Sequence, residues 1–192
     1  VEALVGGKIY QHCGVSATKK LDVTFSPGQL CIDQGSKKMG VIQDSKNIYL
    51  VDVSGPVYKK TLITTSAQEP TFCLVKGQDL WISFPASMAL DKVKVWEGGK
   101  APPKSINFPS GIKQPLDLVL LNGRVFTHSQ STNDVVELIS GVPYTTKLIK
   151  SPASGIIDGL TLGPNGLITS QGGSIHAFAP GSTSSISKSF SV

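Results

Sequence analysis

Charge is scarce in this sequence of 192 residues. Charged side chains make up 16%, and 18 Lys and Arg against 13 Asp and Glu leave a formal net charge of +5. With apolar residues at 40%, so little charge excludes a disordered chain, and the composition is not that of a coiled coil. No apolar run approaches the ~18 residues that a membrane-spanning helix needs. No segment sustains a helical i, i+3, i+4, i+7 stripe with caps, so helix content is expected near zero. The short catalytic motifs are missing too: there is no G-x-S-x-G elbow, no P-loop, and no G-x-G-x-x-G opening a helix. Basic residues come as scattered pairs (Lys19-Lys20, Lys37-Lys38, Lys59-Lys60), a pattern that keeps edge strands from aggregating. Without an aromatic-interleaved basic stripe, nucleic acid is not the expected partner.

Cysteine is sparse as well. Cys13, Cys31 and Cys73 cannot all pair within one chain, and none sits in a C-x-x-C spacing. They read as small buried apolar residues, with a Cys13–Cys31 disulfide as the competing reading. The chain opens on Val1 without an initiator Met, so a processed product or a fragment is expected. No N-x-S/T acceptor occurs. The compartment stays open, with a secreted or extracellular setting favoured.

What is abundant is Gly (20) and Pro (12), set among short apolar runs that repeat. Five segments share an apolar strand, a tight polar or Gly turn and a second apolar strand: EALVGGKIYQHC, MGVIQDSKNIYLVD, TFCLVKGQDLWIS, LDLVLLNGRVFTHS and GLTLGPNGLITSQ. Turns such as Gly6-Gly7, Asn122-Gly123 and Asn165-Gly166 supply the positive φ of a two-residue hairpin. The first apolar residues after the turn are Ile9, Ile48, Leu80, Val125 and Leu167, at spacings of 39, 32, 45 and 42. A third strand ending on Gly28, Gly99, Gly141 or Gly181 follows in most units, then a weaker fourth such as QLCIDQG or YTTKLIK. The second unit looks shortened. Four strands per ~40 residues, repeated, predict an all-β chain: a β-propeller of about five four-stranded blades. The blades are expected to start near residues 1, 38, 69, 114 and 156 of one 1–192 domain, either a complete small propeller or a part of a larger ring.

The third strands IHAFAPGSTSS and VKVWEGGKAPP, with QEPTFCLV, KQPLDLVLLNGRVFT and IDGLTLGPNGLIT, resemble NHL-type propeller repeats. That group includes SMP-30/gluconolactonase-like and virginiamycin B lyase-like propellers. Pro70 and Pro115 match the opening proline of such blades, and the resemblance spans about residues 68–185. It implies the propeller fold and, by analogy, a ligand site near the central channel of the lactonase or lyase kind.

Chemistry is expected where innermost strands start. Glu69, Asp117 and Asp158 lie at such starts, with Asp117 and Asp158 read as repeat equivalents, the latter by way of one extra turn residue. Converging carboxylates would suit Ca²⁺ or Mg²⁺, which take hard oxygen ligands; the bland alternative is solvated acids, or a pairing with Lys113. His12 and His128, each three residues past the anchor of its unit, would serve as general bases beside such a cation, or else are surface histidines at loop entries. His176 reads as an exposed strand residue. Trp81 and Trp96 read as core between blades.

The expected function is therefore a non-catalytic interaction or scaffold module with a protein partner and no required cofactor, a subunit of a larger assembly. A metal-dependent lactonase- or lyase-like enzyme is the alternative. A carbohydrate-binding propeller ranks lower, because the strand ends QHCG, VDVS, SFPAS, HSQS and SQGG do not repeat one polar set. Since an unpaired edge strand exposes backbone donors and acceptors, the tail SISKSFSV is expected to pair with the first unit or with another chain.

Overall fold

The computed structural model describes all residues except 1, 6–7, 14–15, 23–26, 34, 44–45, 67–69, 85–91, 110, 113–114, 130–131, 133, 142, 151–154, 164–165, 181–185 and 190–192. For the strands before residue 31 and after residue 185, and at residues 43, 92 and 150, the backbone alone is described. Among the described residues, nineteen strands form five sheets, each a meander whose consecutive strands are neighbours. The first holds β1 (Glu2–Val5), β2 (Lys8–Cys13) and β3 (Ser16–Asp22). The second holds β4 (Pro27–Asp33), β5 (Lys38–Gln43), β6 (Asn47–Asp52) and β7 (Lys59–Thr65). In the third are β8 (Phe72–Lys76), β9 (Asp79–Phe84), β10 (Lys92–Trp96) and β11 (Lys104–Asn107). The fourth comprises β12 (Val119–Leu121), β13 (Arg124–His128), β14 (Asp134–Ile139) and β15 (Thr145–Lys150). The fifth comprises β16 (Gly159–Gly163), β17 (Gly166–Gln171), β18 (Ser174–Phe178) and β19 (Ile186–Ser189). A single 3-10 turn at Glu97–Gly99 is the only helical element among the described residues.

Three expectations change here. The second sheet begins at Pro27 rather than near residue 38, because PGQLCID pairs with β5 instead of closing the first sheet. Residues 27–52 contain two successive hairpins of the same apolar–turn–apolar appearance, and the sequence pattern locks onto the second. With β4 first, this sheet is regular and four-stranded, and Ile48 lies on its third strand; the first sheet has three described strands. The tail also behaves differently: Ile186–Ser189 pairs with β18 of its own sheet. Finally, Val41 and Ile42 are buried as expected, but Leu74, Val119 and Leu120 are half-buried, because they sit on the first strands of their sheets.

The chain divides into two compact units, Val1–Trp81 with Trp96–Pro103, and Ile82–Val95 with Lys104–Val192. In the first, Met39, Val41, Val51 and Tyr58 form a core cluster. The first strands β4 and β8 of neighbouring sheets approach each other, and a Cys31–Cys73 disulfide joins them with Cα atoms 5.7 Å apart. This corrects both cysteine readings: the pair links two sheets, and sequence separation carries no record of which strands adjoin. Gly40 lies beneath the bridge, where a Cβ would come within 2.7 Å of Cys31 Sγ and Leu80 Cδ1. At the end of β4, Asp33 accepts the N–H of Gly77, in the β8–β9 turn, at 3.0 Å.

In the second unit, β13 and most of β14 are buried on both faces, as strands sandwiched between neighbouring sheets must be. Their hairpin turn carries φ of 51° at Asn122 and 75° at Gly123, the two positive angles expected of Asn-Gly. Phe126, Val135 and Ile149 of the fourth sheet pack against Leu160, Leu167 and Phe178 of the fifth. Trp96 in the first unit is 1% exposed, and Trp81 is fully buried, as core residues.

Candidate functional site

The second unit brings together one acid and one histidine named from the sequence. The lead-in to β12 is pinned beside the end of β13: Leu116 donates its N–H to the His128 carbonyl at 3.1 Å, and its own carbonyl accepts Thr127 Oγ1–H. That clamp presents Asp117. Its Oδ2 accepts the N–H of Leu160, on β16 of the next sheet, at 2.8 Å, and lies 3.3 Å from His128 Nε2. A single carboxylate thus ties the fourth sheet to the fifth. His128 is completely buried, and its 3.3 Å contact is within ion-pair range while its direction misses a good hydrogen bond. It is not a surface histidine at a loop entry.

Burial by itself would raise the Asp117 carboxyl, but the adjacent His128 imidazole and the Leu160 N–H outweigh it and hold the group below the usual range. Asp117 is therefore an ionised carboxylate at neutral pH, and its side chain is 26% exposed. Glu137 is lowered chiefly by Arg124, which grips it through two N–H···O bonds of 2.6 Å. The Arg124 side chain is 44% exposed, so solvent limits that pair to at most about 1 kcal/mol. A carboxyl lowered in the folded state stabilises the fold above the ordinary carboxylate range, and the contribution disappears as pH falls through the folded value. Urea midpoints measured from about pH 6 down to about pH 3 are accordingly expected to drop, and less steeply in Glu137→Gln. A flat profile would show that these carboxylates carry no linkage.

Asp158 does not share the place of Asp117. Residue pairing gives Leu121↔Arg124 in one hairpin and Gly163↔Gly166 in the other, so both have two-residue turns. The counterpart of Asp117, eight residues before the anchor, is Gly159. Asp158 instead matches Leu116, its N–H bonding the Ser170 carbonyl at 2.8 Å as Leu116 bonds His128. A one-residue step along extended chain sends the side chain to the opposite face, and Asp158 is exposed. Glu69 lies outside the described residues. His12 falls on β2, its side chain outside the description. His176 is half-buried rather than exposed. Among the described residues no three His, Cys, Asp or Glu side chains gather as metal ligands.

The sequence did not reveal the pocket beside Asp117. Asp117, Gly159, Leu160, Thr161, Ile168, Ser170 and Ile175 line a depression of about 290 Å³. Gly159 keeps it open: a Cβ there would lie 3.2 Å from Ser170 Oγ and 3.8 Å from Asp117 Oδ2. Adjacent apolar residues of both parities, such as Leu167-Ile168, were the available signal, since they put apolar side chains on both faces of the last sheet.

No family model and no curated protein sequence matches the chain. Solved structures do. A chain of a nidogen/laminin complex is similar with TM-score 0.67 and 11% identity, over 95% of this chain and 72% of that one. A streptogramin B lyase is similar with TM-score 0.64 and 16% identity, over 85% and 54%. YCF48 bound to a D1 peptide gives 0.62 and 12%, over 88% and 55%. This chain thus spans about half the length of the latter two. The fold is an all-β propeller fold, and the propeller resemblance read from the sequence fits it. No helix among the described residues is long and apolar enough to cross a membrane.

Proposed function

We propose that this chain is a non-catalytic propeller module that docks a protein partner within a larger assembly. The supporting observation is the outer face of the fifth sheet. One face of that sheet, Leu160, Leu167 and Phe178, is packed against the fourth sheet. The other carries Thr161, Ile168, Ser170, Ile175 and Ala177, with Ile175 40% exposed and Thr161 exposed. Ile175, with the half-buried Ile168 and Ala177 beside it, gives that face an apolar strip, and apolar surface of this kind is what a protein contact uses. Two of the similar structures are complexes, nidogen/laminin and YCF48 with a D1 peptide, which fits a protein partner in general terms.

The second reading is a metal-dependent lactonase- or lyase-like enzyme, favoured by the Asp117–His128 pair and requiring Glu69 and Asp158 to join Asp117 around Ca²⁺ or Mg²⁺. Titration calorimetry with each cation separates the two. The module reading expects no saturable heat. Saturable binding by the wild type that Asp117→Asn abolishes would reverse the order of the readings.

A further inference from the structure

We infer that β7, the outer strand of the second sheet, takes an extended segment of a partner protein as a further strand, and that this segment carries two consecutive acidic residues. The inference rests on the module reading and names the chemistry of its partner. Its surface is the free edge of β7, independent of the fifth sheet.

β7 pairs with β6 along one edge, and no described strand pairs with the other. From β7 the chain passes to β8, a member of the next sheet, so it adds no strand of its own at that edge. An edge strand turns the N–H and C=O groups of alternate residues outward, a ready template for another chain. At seven residues β7 is longer than β11 (four) and β15 (six), the outer strands of the third and fourth sheets. β11 follows Pro102 and Pro103 and lies alongside β15. β7 contains no proline, and Lys59, Lys60, Thr61 and Leu62 are all exposed. Thr61, Ile63, Thr64 and Thr65 are β-branched, the residue type that favours extended backbone.

The charges along this edge select the partner. Lys60 pairs with Val51, and its ammonium lies 4.6 Å from the Tyr49 ring centroid, on the face that Tyr49 and Val51 share. Lys59, one residue earlier, stands on the opposite face. Asp52, across from Lys59 in register, is engaged by Lys38 Nζ at 2.9 Å and by Ser54. No acidic residue occurs between Asp52 and Glu69. An added strand therefore meets one cation on each face at the same end of β7. Two consecutive acids also stand on opposite faces, and so match both. Beyond the lysines, Leu62 is 52% exposed on the face of Lys60, while Ile63 turns to the other face, toward Gly99. The rest of the segment is accordingly uncharged, with an apolar side chain over Leu62. Main-chain hydrogen bonds supply affinity in such strand addition, and the side chains supply specificity.

Fluorescence anisotropy at low ionic strength tests this with a labelled, end-capped peptide matched to the seven residues of β7, Val and Thr around a Glu-Glu pair. Saturable binding to the wild type is expected. Lys59→Glu with Lys60→Glu is expected to weaken it at least about tenfold, with circular dichroism melts showing that the fold is intact. The same peptide with Lys-Lys in place of Glu-Glu should not bind. Two further peptides, N-methylated on one or the other set of alternate residues, report the backbone contact on the unaltered protein. Blocking the donors that face β7 is expected to weaken binding at least about tenfold, and blocking the other set to change it little. No saturable binding, or binding indifferent to either charge reversal, overturns the acidic partner. Equal effects of the two methylated sets overturn strand addition. The cation titration tests the module reading separately, so a failure of strand addition is told apart from a failure of that reading.

Discussion

Reduction of the Cys31–Cys73 bridge, or its removal by Cys31→Ala with Cys73→Ala, is expected to lower the thermal midpoint by about 10 °C. The two residues are 42 apart, and closing a loop of that length restricts the unfolded chain by about 4 kcal/mol in the chain-entropy description. For a chain of this size, each kcal/mol corresponds to about 2–4 °C. The effect should appear in differential scanning calorimetry with and without reductant. Thiol titration of denatured, unreduced protein is expected to find one free thiol of three, that of Cys13; finding three would remove the bridge and the predicted shift together. A bridge of this kind persists in an oxidising compartment.

Asp117→Ala should be the most damaging change at a residue that is neither core nor cysteine, lowering stability by about 2–4 kcal/mol. Alanine removes the acceptor that the Leu160 N–H uses at 2.8 Å and leaves the fully buried His128 imidazole without its 3.3 Å partner. A hydrogen bond to a charged acceptor contributes about 1.5–3 kcal/mol, and a stranded buried donor adds its own cost. Asp117→Asn should lose less than half as much, because an amide oxygen can still accept from Leu160. The comparison of the two variants by urea unfolding decides whether the tie between the fourth and fifth sheets is a hydrogen-bond effect. Equal losses would point instead to the charge itself.

Much of the architecture was legible because it is local. Short apolar runs, two-residue turns and glycine stops act over a few residues, and Asn122-Gly123 takes the two positive φ angles that its identity demands. The error in the second sheet came from the same locality. PGQLCID and NIYLVD are both plausible strands flanking MGVIQ, and only the neighbouring sheet decides which comes first, since β4 lies along β8. The candidate site shows the same division. Asp117 and His128 were named for their positions at strand ends, and they prove to be 3.3 Å apart. Asp158 was set beside them by a count one residue off, and a one-residue slip in a strand reverses the face.

The amino-acid sequence by itself determined the all-β character, the repeating meander, the tight turns and the burial of Trp81 and Trp96. These follow from residue periodicity and backbone preference, which are written along the chain. Only the tertiary structure decided that Cys31 pairs with Cys73, that Asp117 joins two sheets, that Gly159 opens a pocket, and that one face of the last sheet keeps Ile175 in water. Each of these depends on which strands become neighbours, and nothing in the spacing of residues along a chain sets the distance between sheets.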